Sequence, residues 1–235
     1  MKLLVFSDLH GSLNSLNALI NTDDFKKADK VISLGDITFG CSRPNDCINL
    51  LIKNNIICLL GNNDSYIAYN YIPKKDLHTF DNGKYQQMAY MVNNVSQENK
   101  KLIQKWQKEL YLEVEGTTLY FVHYPWIDTG KDAIASPCPN NSNTKTIPSI
   151  FKNIKADYIF YGHEHSRYSI VTETTRYYCI DTIGLENPGH YIIIDTDNNE
   201  IKITDKYIEF DIEEEISLMN KVGYPYNKNK INSKK

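Results

Sequence analysis

Seven residues of this chain have the side chains and the placement to bind metal ions. They are Asp8 and His10 in "SDLHG", Asp36 in "LGD", Asn62 in "GNND", His123 in "VHY", and His163 and His165 in "GHEH". Each tag follows an apolar run that reads as a strand. One such tag alone says little. "GD" or "GNND" after a strand ordinarily ends it, because Gly, Asn and Asp tolerate turn angles and their short side chains bond back to the main chain. "DLHG" can cap a helix, and a lone buried histidine is more often a satisfied core residue than a ligand. Recurrence decides between the readings, since four of the six histidines stand directly after strands, in company with Asp or Asn. Imidazole with carboxylate and amide oxygen, and no thiolate, suits Mn²⁺, Fe, Zn²⁺ or Ni²⁺ rather than Mg²⁺ alone or an iron–sulfur cluster. Seven ligands exceed one ordinary centre. With one carboxylate bridging, they suit two ions about 3.5–4 Å apart, as in two-metal hydrolytic sites.

Residues so far apart in sequence need a scaffold that brings them together. "KLLVFS" (2–7) is β-rich and continuously apolar, as a strand buried on both faces should be. Gly11, Ser12 and the helical spacing of Leu13, Leu16, Leu19 and Ile20 follow it. "KVISL" (30–34) and "IICLL" (56–60) repeat the strand signal on either side of a helical stretch, 44–55. This β-α-β-α-β order predicts a parallel sheet, whose strands gather their carboxyl ends, and so their ligands, on one edge. The Asp-x-His and His-x-His pairs are expected to share a side by lying on extended backbone or where a strand gives way to a loop.

Further on, Ser96 is placed to cap an amphipathic helix carrying Leu102, Ile103, Trp106 and Leu110. Strands are expected at "TLYFVH" (118–123) and "DYIFYGH" (157–163), with a polar loop, 136–148, between them. After His165 the pattern changes to closely spaced strands that predict an antiparallel close, the last two joined by the turn "DNN". A final helix spans about 212–222. We read 1–226 as one domain and 227–235, rich in Lys and Asn, as a disordered tail.

Composition sets the outer bounds. With 235 residues, 41% of them hydrophobic, the chain can bury a full core. A net charge of −3 and a pI near 6.1 give no global basic field, which excludes bulk electrostatic binding of nucleic acid. Five cysteines, odd in number and without a C-x-x-C pair, fit neither a disulfide framework nor a zinc ribbon and point to a reduced, cytoplasmic setting. The apolar run at the N-terminus is too short for a signal peptide, and no stretch approaches a membrane span, so a soluble protein is expected.

Taken in order, D-x-H, G-D, G-N-[HCD]-[DE], H and G-H-x-H resemble the signature of the calcineurin-like metallophosphoesterases, over nearly the whole chain. "GDITFGCSRPNDCINLL" and the closing "YIEFDIEEEISLMNKVGYP" are similar to a small bacterial and archaeal subfamily. The resemblance implies a four-layer αββα sandwich with mixed sheets. It implies one metal on Asp8, His10 and His165, another on Asn62, His123 and His163, and Asp36 bridging. It also implies hydrolysis of phosphate esters through a metal-bound hydroxide, with two divalent transition-metal ions, Mn foremost and Fe, Zn or Ni as alternatives. The implied substrate is a phosphorylated small molecule or nucleotide.

Three departures from the family pattern bear on the chemistry. Asn63 stands where most members have a histidine that helps the leaving oxygen; it can donate a hydrogen bond but no proton. Asp64, which would orient that histidine, is left without it. Tyr124 replaces a common glycine and is expected to narrow or line the pocket, and "DTIGLENPGH" replaces a usual Asn-Pro-Gly-Ser-rich turn. Asn63 and Asp64 are therefore the candidate catalytic residues, and the expected bias is toward phosphodiesters or good leaving groups. Phosphomonoesterase or protein phosphatase activity, dinucleoside-polyphosphate hydrolysis, and a non-catalytic binding module on the same fold are the alternatives. Arg43 and Arg167 are candidates for clamping phosphate oxygens, together with Tyr124 as substrate-binding residues. Trp126 is a candidate pocket wall. His78 and His190, outside every motif, are read as structural.

Overall fold

The structure, a computed structural model, describes residues 1–71, 82–136, 146–197 and 200–225. His78, most of the expected polar loop, the "DNN" turn apart from Asp197, and the tail lie outside the described residues.

The first third follows the expected order: β1 (Lys2–Phe6), α1 (Leu13–Asn21), a short α2 (Asp23–Lys27), β2 (Lys30–Ser33), α3 (Pro44–Lys53), β3 (Ile57–Cys58) and α4 (Asn62–Ala68). Then come α5 (Asn82–Asn94), α6 (Gln97–Ile103), β4 (Glu109–Val114), β5 (Thr117–Val122), β6 (Ile127–Lys131), β7 (Ala133–Ala135) and α7 (Ile147–Ile150). The chain continues through β8 (Tyr158–Tyr161), β9 (Tyr168–Val171), β10 (Arg176–Cys179), β11 (Gly189–Asp197), β12 (Glu200–Ile208) and α8 (Ile212–Lys221).

Two five-stranded sheets form, in the orders β12-β11-β1-β2-β3 and β4-β5-β8-β10-β9. In the first, β1, β2 and β3 run parallel, while β11 pairs antiparallel with both β1 and β12. The second is parallel through β5, β8 and β10 and antiparallel at its edges, β4 and β9.

Alternation along β1 shows how the layers are built. Leu3 and Val5 point between the sheets, where they join Ile32, Leu34, Phe121, Phe160 and Ile180. Leu4 and Phe6 point the other way and pack with Leu16 and Leu19 of α1 and with Cys47, Ile48 and Leu51 of α3. Both faces of the strand are dry, which is why its sequence is a continuous apolar run instead of an alternating one. On the far side, Tyr120, Val122 and Tyr161 of the second sheet pack with Ile147 of α7 and with Phe151. The result is the expected αββα sandwich. Each fully buried Leu or Phe contributes roughly 1.5–3 kcal/mol, so the inter-sheet layer alone accounts for a large share of the stability that holds the loops in place.

Several elements differ from the sequence reading. Ser96 does cap a helix, its Oγ accepting from the Asn99 amide at 3.1 Å, but α6 ends at Ile103. Leu110 belongs instead to β4, because a partner strand, β5, offers a full register of pairs from Glu109–Val122 to Val114–Thr117. α5 and the β6–β7 hairpin were not foreseen. "IICLL" makes only a two-residue strand; beyond it Leu60 donates to the Gln107 carbonyl at 2.7 Å as the chain leaves the sheet. β10 runs parallel to β8, so the close of the chain is not wholly antiparallel. No helix among the described residues is long and apolar enough to cross a membrane.

Candidate metal centre

The loops that leave β1 and β2 are joined by main-chain bonds before any side chain is considered. Asp8 N–H donates to Gly35 at 3.0 Å, His10 N–H to Asp36 at 2.9 Å and Gly11 N–H to Ile37 at 2.6 Å. Asp8, His10, Asp36, His163 and His165 all have positive φ, between 47° and 69°. Of the two expected placements, the i, i+2 pairs take the second, where a strand gives way to a loop, and not extended backbone. They share a side because each loop turns through left-handed residues, a conformation costing of order 1–3 kcal/mol each that the surrounding contacts must impose. Such strain clusters where function requires it.

The glycines that precede ligands permit this crowding. A Cβ on Gly61 would lie 2.2 Å from both the Asp36 amide nitrogen and its Oδ1, and one on Gly162 would lie 1.9 Å from Ser7 Oγ. Only a residue without a side chain lets the three loops touch. The "GNND" stretch opens α4 and is not a free turn: Asn62 is its first residue, and Asp64 accepts from Gly61 N–H at 3.3 Å.

Six of the seven expected ligands fall into two groups, and the seventh, Asn62, opens α4 with its Oδ1 buried. Asp8, His10 and His165 form one group and Asp36, His123 and His163 another, the ligating atoms within each lying within 4.8 Å of one another. His10 Nε2 and His165 Nε2 are 2.9 Å apart, and both face Asp8 Oδ1, at 3.5 and 3.2 Å. His123 Nε2 lies 3.4 Å from Asp36 Oδ2. Asp8 Oδ1, Asn62 Oδ1 and both ring nitrogens of His123 and of His163 are buried without a hydrogen-bond partner. Buried polar atoms are normally paired, each orphan costing about 1–3 kcal/mol. So many orphans among the candidate ligands fit cations as missing partners for part of them.

The charges agree. Burial would raise the pKa of Asp36, but His123 beside it prevails and holds it at about 2; Asp8, opposed by burial and favoured by His165 and His123, also stays well below the usual carboxylate range. Burial disfavours charge on His123, yet Asp36 and Asp8 lift it to about 9. Burial and then His123 push His163 down to about 3, leaving a neutral imidazole. Two buried carboxylates thus hold protons on neighbouring rings that a bound cation would displace.

The sequence profile of the family described as "Calcineurin-like phosphoesterase superfamily domain" matches residues 1–199. The chain belongs to this family. The family is described as one of phosphoesterases. A metallophosphoesterase from Sphaerobacter thermophilus superposes with a TM-score of 0.73 at 18% identity, covering 99% of this chain and 98% of the other. A hypothetical protein from Pyrococcus horikoshii superposes with a TM-score of 0.77 at 15% identity, covering 98% and 96%. At these identities both establish likeness of fold. An uncharacterized protein of Methanocaldococcus jannaschii is 27% identical over 165 residues, 68% of this chain; the match spans 61% of that relative's length.

Residues around the phosphoesterase ligands fall into place differently from the sequence reading. Asp64 is not left without a client. It is fully buried, and its Oδ1 accepts from Ile37 N–H, Thr38 N–H and Thr38 O–H at 2.8–3.0 Å. Burial and the nearby Asp36 raise its pKa to about 7. Asn63 donates from its main chain to Asp36 Oδ1 at 2.9 Å and from its amide to Asp36 Oδ2 at 2.5 Å, so it sits on the carboxylate expected to bridge. Tyr124 is only 2% exposed, its ring 4.7 Å from that of His163.

Arg43 is engaged by other partners. It donates to Glu215 at 2.6 Å and to Asn14 at 2.8 Å, tying the loop after β2 to α8. Glu215 is 1% exposed, so Arg43→Ala is expected to strand a buried carboxylate and lower stability by about 3 kcal/mol in urea unfolding, with Arg43→Met/Glu215→Met recovering most of it. A phosphate clamp would behave otherwise, raising KM with little change in stability. Arg167 pairs with Asp205 at 2.9 Å and lines an inter-sheet cavity of about 310 Å³ with Tyr178, Ile192 and Ile203, in whose wall none of the seven ligands takes part. Trp126 is 37% exposed, with Lys108 Nζ 4.1 Å above its ring, so buried packing does not account for it. His190 is structural in its contacts: Nδ1 accepts from Asp181 N–H at 3.2 Å, which leaves Nε2 to donate to Asp205 at 2.9 Å.

Sequence reasoning missed the groups that hold the ligands. Ser7 Oγ donates to Asp8 Oδ2 at 2.6 Å, the His163 amide donates to the same oxygen at 3.0 Å, Thr182 Oγ1 donates to the Asp8 carbonyl at 2.7 Å, and the Phe39 carbonyl accepts from His10 Nδ1. Only Ser7, directly before Asp8, left a signal in the sequence, and it is a weak one.

Proposed function

We propose that this chain hydrolyses phosphate esters with two divalent transition-metal ions, one held by Asp8, His10 and His165, the other by Asn62, His123 and His163, with Asp36 between them. The observation that carries this reading is the set of partnerless, buried ligand atoms on Asp8, Asn62, His123 and His163, arranged around two carboxylates kept ionised. Mn²⁺ is the first choice for that donor set, with Fe, Zn²⁺ and Ni²⁺ as alternatives. When bound, such ions supply an activated water and neutralise charge on the phosphoryl oxygens. The chain supplies the rest. Ser7 and the His163 amide fix Asp8, Asn63 steadies Asp36, and His165, with a side chain 34% exposed, opens the site to solvent.

Asn63 sets the substrate bias. Its amide can donate a hydrogen bond to a leaving oxygen but gives up no proton, so esters whose leaving groups depart easily, such as aryl or nucleotidyl diesters, are favoured. Titration of metal-free protein with Mn²⁺ is expected to give turnover of bis-aryl phosphates; absence of metal-dependent turnover on both mono-aryl and bis-aryl substrates would sink the proposal. Asn63→His is expected to raise alkyl monoester hydrolysis about 10²-fold, the low end of general-acid assistance, and diester hydrolysis much less. Equal effects on both classes would remove this account of Asn63.

A further inference from the structure

We infer that Tyr124 is a positioning residue for the metal ligand His163, acting through its ring; this rests on the metal-centre reading above. Ligating histidines are usually oriented by a hydrogen bond to the second ring nitrogen. His10 has one, to the Phe39 carbonyl. His163 has none, both its ring nitrogens being buried and without a partner. Its main-chain N–H is anchored on Asp8, but that leaves the imidazole free to rotate. What remains to orient the ring is aromatic packing: Tyr124 lies across it with centroids 4.7 Å apart and planes tilted 32°, and His123 meets it edge-on at 5.2 Å and 80°.

Tyr124 can serve because it is itself immobile. It is 2% exposed and packed against Phe151 at 6.4 Å and Tyr161 at 6.1 Å. Glu164 is the residue between the two histidines of "GHEH". It accepts from Tyr168 O–H at 2.7 Å, and Tyr161 O–H donates to Tyr168 at 2.9 Å. A wall of aromatic rings therefore does for His163 what a carbonyl does for His10. A glycine at this position would leave the imidazole with a void on that side.

Calorimetric Mn²⁺ titration of metal-free protein, read beside thermal unfolding, tests this with four proteins. The unaltered chain should bind two ions. Tyr124→Phe keeps the ring and should bind both with affinities within about threefold of it. Tyr124→Leu should weaken one of the two sites by about 10–100-fold, the usual cost of losing an orienting group. Tyr177→Leu, in the same aromatic cluster but not against His163, should lower the melting temperature and leave both sites intact. Unchanged affinities in a folded Tyr124→Leu overturn the inference, as does a loss in Tyr124→Phe as large as in Tyr124→Leu. Failure of the unaltered chain to bind metal would instead overturn the metal-centre reading.

Discussion

Asp36→Asn is expected to abolish metal-dependent phosphoester hydrolysis, by on the order of 10³-fold or more, and to leave at most one tightly bound ion per chain. The substitution keeps the shape of the side chain and removes only its charge, so the effect isolates electrostatics. Asp36 is 2% exposed, and it is held ionised by His123 against the cost of burial. The two carboxylates that act most directly on Asp36 are already engaged. Asp8 is committed to His10 and His165, and Asp64 to the amides of Ile37 and Thr38. A neutral amide at position 36 can still accept from the Asn63 main chain, so the loop should keep its course and the protein its fold. Metal content by elemental analysis, circular dichroism and turnover of a bis-aryl phosphate would check this together. Two bound ions with turnover within tenfold of the unaltered chain would show that Asp36 does not bridge.

How much of this site could be read from sequence depends on which kind of constraint each residue obeys. The grouping of six candidate ligands was legible because their chemistry is carried by residue type and because parallel strands must deliver their ends to one edge. The αββα layering was legible in part for the same reason: the apolar runs in β1 and β2 need cover on both faces. What was hidden depends on tertiary contact. Asn63 and Asp64 are adjacent in sequence, yet one faces Asp36 and the other turns into the core beneath the loop after β2, a division set by the helical turn of α4. Arg43 and Arg167 each look like phosphate clamps until their acidic partners, Glu215 and Asp205, are brought up from the far end of the chain. β4 was masked by residues that suit a helix as well as a strand, and its state was decided by the partner β5. The left-handed backbone at Asp8, His10, Asp36, His163 and His165 has only a weak local signal, because Asp and His visit it more readily than most residues but tertiary contacts between the loops decide where they do.

The same division of labour makes Asp64 a residue whose loss should be costly although it is not a candidate ligand. Its Oδ1 is the acceptor for two main-chain amides and one hydroxyl, from Ile37 and Thr38, and its Oδ2 accepts from Gly61. Asp64→Ala leaves these donors buried without acceptors. At about 1–3 kcal/mol for each the gross cost is several kcal/mol. Part is returned, because the Asp64 charge is desolvated and repelled by Asp36, the causes that raise its pKa to about 7. A net loss of about 3 kcal/mol is the expected outcome, measured by urea unfolding of metal-free protein. Asp64→Asn should lose far less, since an amide oxygen can still accept from Ile37 and Thr38. The two variants should also differ in metal binding. In Asp64→Ala the segment Ile37–Thr38 is no longer tied to the start of α4, so Asp36 and Asn62 lose their fixed separation and Mn²⁺ affinity should fall with stability. In Asp64→Asn both should hold. If Asp64→Ala unfolds like the unaltered chain, the buried carboxylate is not what couples the "GD" and "GNND" loops, and their register must come from the close contact of Gly61 with Asp36 alone.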